Sequence, residues 1–220
     1  MAGNVPNIRS TKTRKILILA ANPNGLRLDQ EIRGIEEAIK RANKRDQFEI
    51  RTRQALRPMD IMIALGEERP QIVHFCGHGK ADGSLVLEDD GGQDKAVKPE
   101  ALAELFELYA DCVECVLVNA CYSEKLAQAI SQHIDYAIGM NQSVYDTTAI
   151  KFAQGFYNAL GYGIPDNQEE FQRAFREGVV AIKIEELPGD QIPVIKKKVK
   201  TVNGTSDTGT NTVKSAQLHN

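Results

Sequence analysis

The 220-residue sequence predicts an α/β fold in which a mostly parallel sheet carries helices on both faces, as a three-layer sandwich. Short apolar runs alternate along the chain with segments whose apolar residues recur at helical spacing. This alternation is typical of parallel strands joined by crossover helices. The strand runs are nearly continuous in apolar residues, as expected for strands that are covered on both faces.

Composition and charge argue against a nucleic-acid-binding, membrane-spanning or secreted protein. The formal net charge is −3, so the chain has no strongly basic face for nucleic acid. The apolar runs are far shorter than the roughly 20 residues of a membrane helix, and residues 1–13 lack the apolar middle of a signal peptide. We therefore expect a cytoplasmic protein that binds neither nucleic acid nor membrane. It would have a flexible leader at 1–13, one folded domain at 14–196 and a disordered tail at 197–220.

The first half of the domain predicts a series of buried strands and amphipathic helices. The run at 15–21 ends in the turn sequence at 22–25, which indicates a central parallel strand. Pro58 occupies the position that favours the start of a helix. The predicted elements, in order, are a strand at 15–21, a helix at 28–45, a strand near the sheet edge at 48–56, a helix at 58–68, a strand at 71–75 and one arm of a hairpin at 84–88.

The second half continues the alternation. Asp146 is a candidate helix cap, and Asn167 with Glu170 has the spacing of a capping box. The predicted elements are a helix at 99–109, a strand at 115–119, a helix from about Ser123 to His133, a strand at 136–140, helices at 146–160 and from 167 to 182, and a final strand at 191–195.

Two short motifs follow predicted strands directly: HFCGHG at 74–79 and NACYS at 119–123. If the two strands are parallel neighbours, His78 and Cys121 emerge at the same carboxyl edge of the sheet, where open α/β folds build their sites. An imidazole would then face a thiol, which is the arrangement that nucleophilic catalysis by cysteine requires.

The two motifs contain the groups needed for acyl transfer. Cys121 would be the nucleophile, and His78 the general base and later the general acid. The backbone amides of Gly79 and Cys121 could hold the oxyanion, because a glycine lets the backbone approach a substrate closely. The competing interpretation is structural: His78 would hydrogen-bond a loop, and Cys121 would be a small buried apolar residue.

Other cysteine and histidine residues have simpler interpretations. Cys112 and Cys115 have CxxC spacing but no second CxxC or paired histidines, so we interpret them as packing residues, with a metal or redox site as the alternative. His74 alternates inward along its strand and is predicted to be a core histidine with a hydrogen-bond partner. We expect no metal and no cofactor.

Four segments together resemble the CHAT domain family, which is related to caspases, metacaspases, separases and gingipains. They are ILILAANP at 16–23, LRLDQEI at 26–32, HFCGHG at 74–79 and VNACYS at 118–123. The similarity runs from about residue 14 to residue 195. It implies a caspase-like α/β fold and a cysteine endopeptidase in which His78 and Cys121 match the family's histidine and nucleophile.

The resemblance also implies a substrate, a pathway and partners. Relatives with acidic primary pockets cleave after Arg or Lys, and metacaspases often have an acidic residue at the position of Asn119. Asp29 is the candidate for reading a basic side chain, although it could equally be a helix N-cap. We expect a polypeptide substrate and a bacterial signalling, conflict or regulated-death pathway, with activation by a protein partner or a homo-oligomer. The alternative is an inactive interaction or adaptor module of the same fold.

Overall fold

The computed structural model describes residues 13–21, 26–54, 56–163 and 169–199. Its strands are β1 (Arg14–Ala20), β2 (Phe48–Gln54), β3 (Ile72–Cys76), β4 (His78–Gly79), β5 (Leu85–Glu88), β6 (Asp94–Val97), β7 (Cys115–Asn119), β8 (Tyr136–Met140) and β9 (Pro193–Lys197). Its α-helices are α1 (Leu28–Arg41), α2 (Pro58–Glu68), α3 (Pro99–Glu107), α4 (Glu124–Ile130), α5 (Asp146–Tyr162) and α6 (Glu170–Ile184).

Six strands form the main sheet, in the order β2-β1-β3-β7-β8-β9. Neighbouring strands are parallel except for β8 and β9, which are antiparallel. The predicted mostly parallel sheet is confirmed, and β2 lies at its edge as expected. The predicted hairpin arm is β5, the middle strand of a separate antiparallel sheet with the order β4-β5-β6.

Two hydrophobic cores cover the two faces of the main sheet. Side chains alternate across a strand, so Ile16 and Ile18 of β1 pack in one core while Leu17 and Leu19 pack in the other. The first core also contains residues of α1, α5 and α6, and the second contains residues of α2, α3 and α4. This arrangement confirms the three-layer sandwich.

The first helix is shorter than the predicted 28–45. Helix α1 ends at Arg41 because Ala42 adopts an extended conformation with ψ 155°, and residues 45–47 form a separate turn of 3₁₀ helix. The Lys44 amide donates to the Gly161 carbonyl oxygen at 3.0 Å. This contact with the end of α5 holds the chain out of the helical path.

The predicted helix caps are wrong for α5 and α6. Tyr145 is the N-cap of α5, and Asp146 is its first residue, whose carboxylate accepts hydrogen bonds from Arg27. Glu169 is the N-cap of α6, while Asn167 lies outside the described residues. The Glu170 carboxylate pairs with Arg14 instead of closing a capping box.

Other boundaries also differ by a few residues. Helix α4 ends at Ile130, before His133, and α5 continues to Tyr162. Strand β9 includes Lys197, so the expected domain end at 196 falls within a strand. The turn at 22–25, the leader up to residue 12 and the tail from residue 200 lie outside the described residues. In the described ranges, no helix has the length and apolar character to cross a bilayer.

Candidate active site

Strand register brings the two motifs to one edge of the sheet. Strands β3 and β7 are parallel neighbours, with Cys76 directly opposite Asn119. His78 and Cys121 each follow that pair by two residues, so both emerge at the carboxyl edge of adjacent strands. Both side chains are half-buried. The juxtaposition of the two motifs expected from the sequence is therefore present in the fold.

Gly79 packs its α-carbon against the Cys121 carbonyl group. A methyl group added at Gly79 would overlap the Cys121 carbonyl oxygen, so only glycine fits here without backbone movement. On its other side, Gly79 lies opposite Leu85 of β5. The short strand β4 is thus held between β5 and the Cys121 turn.

The amide of Gly79 is directed away from β5. The Lys80 amide donates to the Ser84 carbonyl oxygen at 2.9 Å, which makes that pair a hydrogen-bonded pair of the antiparallel ladder. Hydrogen-bonded and non-hydrogen-bonded pairs alternate, so the next pair, Gly79 with Leu85, is non-hydrogen-bonded. The Gly79 N–H is therefore not engaged in the ladder between β4 and β5.

The residue after Cys121 has an uncommon backbone conformation. Tyr122 has a φ of 57°, in the left-handed region that residues other than glycine seldom occupy. Its amide donates to the Gln142 carbonyl oxygen at 3.1 Å, in the loop that follows β8. This sharp turn presents Cys121 at the sheet edge.

The Ser123 side chain holds the same turn in place. Ser123 is the N-cap of α4, where the sequence predicted the helix to begin. Its buried hydroxyl lies 2.8 Å from the Val118 carbonyl oxygen and 2.7 Å from that of Ala120. It also accepts a hydrogen bond from the Met140 amide at 2.9 Å. One side chain thus ties the Cys121 turn to β7 and β8.

The loop after β8 supplies polar groups to the Cys121 sulfur. The Val144 amide donates to Sγ at 3.4 Å, and the Ser143 hydroxyl lies 3.6 Å from Sγ. An N–H group directed at a sulfur stabilises negative charge on it. Sequence reasoning missed both residues, because nothing in the local pattern of 141–145 indicates that this loop returns to Cys121.

Asn119 lies in the core beneath the Cys121 turn. It is buried, and its Nδ2 group donates to Glu31 and, at 3.0 Å, to the Ala149 carbonyl oxygen. Glu31 is also buried and lies 2.8 Å from Nε2 of His74, which confirms His74 as a core histidine with a partner. We call Glu31, His74 and Asn119 the buried polar cluster.

Asp29 is exposed in the first turn of α1, where Arg27 is the N-cap. The start of α1 lies beside the start of α5, because the Arg27 guanidinium pairs with Asp146 at 2.9 Å. The structure thus brings together His78, Gly79 and Cys121, with Asn119 beneath them and Asp29 on the surface of α1.

Glu31, His74 and Cys76 have potential metal-ligand atoms within 4.8 Å of one another. These groups are engaged otherwise: the carboxylate accepts hydrogen bonds, and burial raises the pKa of the Cys76 thiol well above its usual value, with the nearby Glu31 charge adding to the effect. The cluster therefore fits a hydrogen-bonded core better than a metal site.

The CxxC pair shows the features of packing residues. Cys115 is buried in β7, and the Cys112 thiol lies 3.5 Å from the Tyr109 carbonyl oxygen. Burial raises the pKa of both thiols. Within the described ranges, neither cysteine shares a metal-ligand group with histidine or carboxylate residues.

Comparisons with known proteins agree with this fold. Caspase-1 from Spodoptera frugiperda is similar in structure, with a TM-score of 0.58 at 13% identity over 86% of this chain and 88% of that one. The Drosophila initiator caspase Dronc has a TM-score of 0.55 at 8% identity over 86% of this chain and 81% of that one. These likenesses show a caspase-like fold, as the sequence resemblance implied.

A curated relative described as a "Probable protease" from Gillisia limnaea is 25% identical over 201 residues, which cover 88% of this chain. The chain spans about a third of that relative's length, since the match covers 34% of it. The sequence model of the CHAT domain matches residues 6–177. With most of its length matched in this way, the chain belongs to the CHAT domain family.

Proposed function

We propose that the chain is a cysteine endopeptidase that hydrolyses peptide bonds through a thioester on Cys121. The family and the caspase-like fold indicate a cysteine peptidase. The observation that supports the assignment of residues is the register of β3 and β7: Cys76 lies opposite Asn119, and His78 and Cys121 each follow that pair by two residues. In this proposal, His78 and Cys121 form the catalytic dyad.

The reaction proceeds in two acyl-transfer steps. His78 takes the proton of Cys121, and the sulfur attacks the scissile carbonyl carbon. The amides of Gly79 and Cys121 stabilise the oxyanion, the C–N bond breaks, and His78 gives its proton to the departing amine. A water molecule then loses a proton to His78 and attacks the thioester, which releases the acid product and restores the thiol.

The proposed preference is for Arg or Lys before the cleaved bond. Asp29 offers an exposed carboxylate at the start of α1, beside the loop that reaches Cys121. Asn119 is buried, so its contribution to substrate binding is to shape the site from beneath together with the Glu31 carboxylate. An acidic group near the site attracts a basic side chain and disfavours an acidic one.

The biological setting is proposed from the family alone. We infer a role in a bacterial signalling, conflict or regulated-death pathway, with a protein substrate and with activation by a partner or by self-association. The relative described as a probable protease comes from a bacterium, and it is much longer than this chain.

Peptide-library profiling of the purified protein tests the proposed activity. Hydrolysis is expected after Arg or Lys, and Cys121→Ala should lower kcat/KM by at least about 1,000-fold, because the nucleophile is removed. Cys112→Ala is the matched control, since Cys112 is half-buried and distant from the sheet edge that carries Cys121. Turnover that is unchanged in Cys121→Ala contradicts the assignment, and the absence of any hydrolysis by the wild type favours an interaction module.

A further inference from the structure

A cavity of about 430 Å³ lies beside the Cys121 turn. Its walls come from the turn itself, from the loop after β8 and from the segment before β9. The lining residues used below are Tyr122, Gln142, Ser143, Tyr145, Gln191 and Ile192.

The cavity borders the proposed nucleophile directly. Ser143, in its wall, has its hydroxyl 3.6 Å from the Cys121 sulfur, and Tyr122 is the next residue after Cys121. An extended peptide advances about 3.3 Å per residue, so a substrate whose scissile carbonyl lies at Cys121 passes the cavity within a few residues. A side chain that flanks the cleaved bond can therefore enter it.

The lining is uncharged. Tyrosine, isoleucine and proline side chains supply apolar surface, while glutamine and serine supply hydrogen-bonding groups. The neighbouring carboxylates are already paired: Asp146 with Arg27 at 2.9 Å, and Asp190 with Lys183 at 3.3 Å. A charged side chain in the cavity would lose water without gaining a partner, which is unfavourable.

The walls are held in place by hydrogen bonds. The Asn141 amide donates to the Ile192 carbonyl oxygen at 3.0 Å, and its side chain donates to the Gln191 carbonyl oxygen at 3.1 Å. The Thr148 hydroxyl of α5 donates to the Pro188 carbonyl oxygen at 3.0 Å. The segment before β9 is thus fixed to β8 and α5, so the cavity is preformed.

From these observations we propose that the cavity is a substrate subsite for one large uncharged side chain, aromatic or aliphatic, at a position that flanks the cleaved bond. This inference rests on the proposed peptidase function and extends it. The dyad accounts for the chemistry of cleavage, and the cavity adds a second selection to the preference for a basic residue.

The test uses internally quenched peptides whose residues are varied one position at a time on both sides of the cleaved bond. One flanking position should prefer large uncharged residues, and Tyr145→Ala should lower kcat/KM for those peptides about tenfold, because an apolar wall is lost. Peptides with alanine at that position should be cleaved at an unchanged rate. Tyr162→Ala is the matched control, because Tyr162 is also exposed but lies at the other end of α5.

A second variant tests whether the uncharged lining of the cavity determines which side chain it accepts. Gln191→Glu places a carboxylate at the cavity and should raise kcat/KM two- to fivefold, roughly, for peptides with Lys or Arg at the same flanking position. Gln132→Glu, an exposed change beyond the end of α4, is its control and should have no such effect.

The outcomes separate the inference from the proposed function. The subsite is contradicted if hydrolysis depends on Cys121 but Tyr145→Ala and Gln191→Glu do not alter the selectivity at any flanking position. The proposed peptidase function is unaffected by that result. Hydrolysis that persists at an unchanged rate in Cys121→Ala overturns the peptidase assignment and the subsite with it.

Discussion

Asn119 connects the hydrophobic core to the proposed nucleophile. It ends β7, two residues before Cys121, and its amide group donates to Glu31 of α1 and to Ala149 of α5. Its Oδ1 atom is buried and lacks a hydrogen-bond partner among the described residues. Because buried polar groups are costly when unpaired, the Glu31 carboxylate is central to the stability of this region.

Removal of the Glu31 carboxylate is predicted to destabilise the fold. Glu31→Ala leaves His74 and Asn119 without their shared acceptor and should lower the free energy of unfolding by about 3 kcal/mol. Glu31→Gln keeps one carbonyl oxygen as an acceptor and should cost about 1–2 kcal/mol. Urea denaturation measures both values.

The control for this series is Glu36→Ala, an exposed change on the same helix, which should alter the free energy of unfolding by less than about 0.5 kcal/mol. Equal stability of Glu31→Ala and Glu36→Ala would show that the buried polar cluster contributes nothing.

At the scale of single residues, the sequence predicted the placement of those whose position follows from local pattern. His78, Cys121 and the inward-facing His74 each occupy a definite place after or within a strand. Glu31 could not be predicted, because its partners His74 and Asn119 are 43 and 88 residues away in the chain. Only the packing of α1 on the sheet brings these groups together.

At the scale of elements, the short strand β4 positions His78. It has only two residues, and it is paired with β5 on one side and packed against the Cys121 turn on the other. Since β4 has only two residues, its position depends on the close contact between Gly79 and the Cys121 carbonyl group.

Gly79→Ala is predicted to displace β4 from the Cys121 turn. The added methyl group meets backbone rather than a flexible side chain, so the strand must move, and kcat/KM should fall by about 100-fold or more. Circular dichroism should show retained secondary structure, since both cores are intact. The comparison variant is Gly66→Ala in α2, where the added methyl group would have ordinary contact with the Tyr109 hydroxyl at 3.4 Å. Full activity of Gly79→Ala would contradict the conclusion that the contact between Gly79 and the Cys121 carbonyl group positions β4.

The sequence predicted the existence and order of the main elements, because each has a clear apolar period. It was less accurate at their ends. Helix α1 stops early through a contact with Gly161, and the Glu170 carboxylate that could have capped α6 pairs with Arg14. Such long-range contacts override local helix signals.

At the scale of the whole molecule, two cores separated by one sheet bury several ionisable groups in neutral form. Burial raises the pKa of the Cys76 and Cys115 thiols and of the Tyr157 hydroxyl well above their usual values. The Tyr157 hydroxyl also lacks a hydrogen-bond partner among the described residues.

The stability of the protein is predicted to fall at alkaline pH. In the unfolded chain the thiols ionise near pH 8.5 and the tyrosine near pH 10, whereas in the folded protein they keep their protons. The unfolded state therefore binds fewer protons above about pH 8.5, and each such thiol lowers the free energy of unfolding by about 1.4 kcal/mol per pH unit.

Urea denaturation between pH 7 and pH 10.5 measures this dependence. Cys76→Ala removes one of the buried thiols and should make the decline shallower, although its stability at pH 7 is lower. The same slope in Cys76→Ala and the wild type would contradict the burial of a neutral thiol at this position.

Mass spectrometry of the acid-quenched protein during turnover of a cleaved peptide tests most directly whether Cys121 is the nucleophile of a peptidase. We predict an acyl group attached to Cys121, located by peptide mapping, that is absent from His78→Ala under the same conditions. Turnover with the acyl group on another residue, or turnover that continues unchanged in Cys121→Ala, would contradict this assignment.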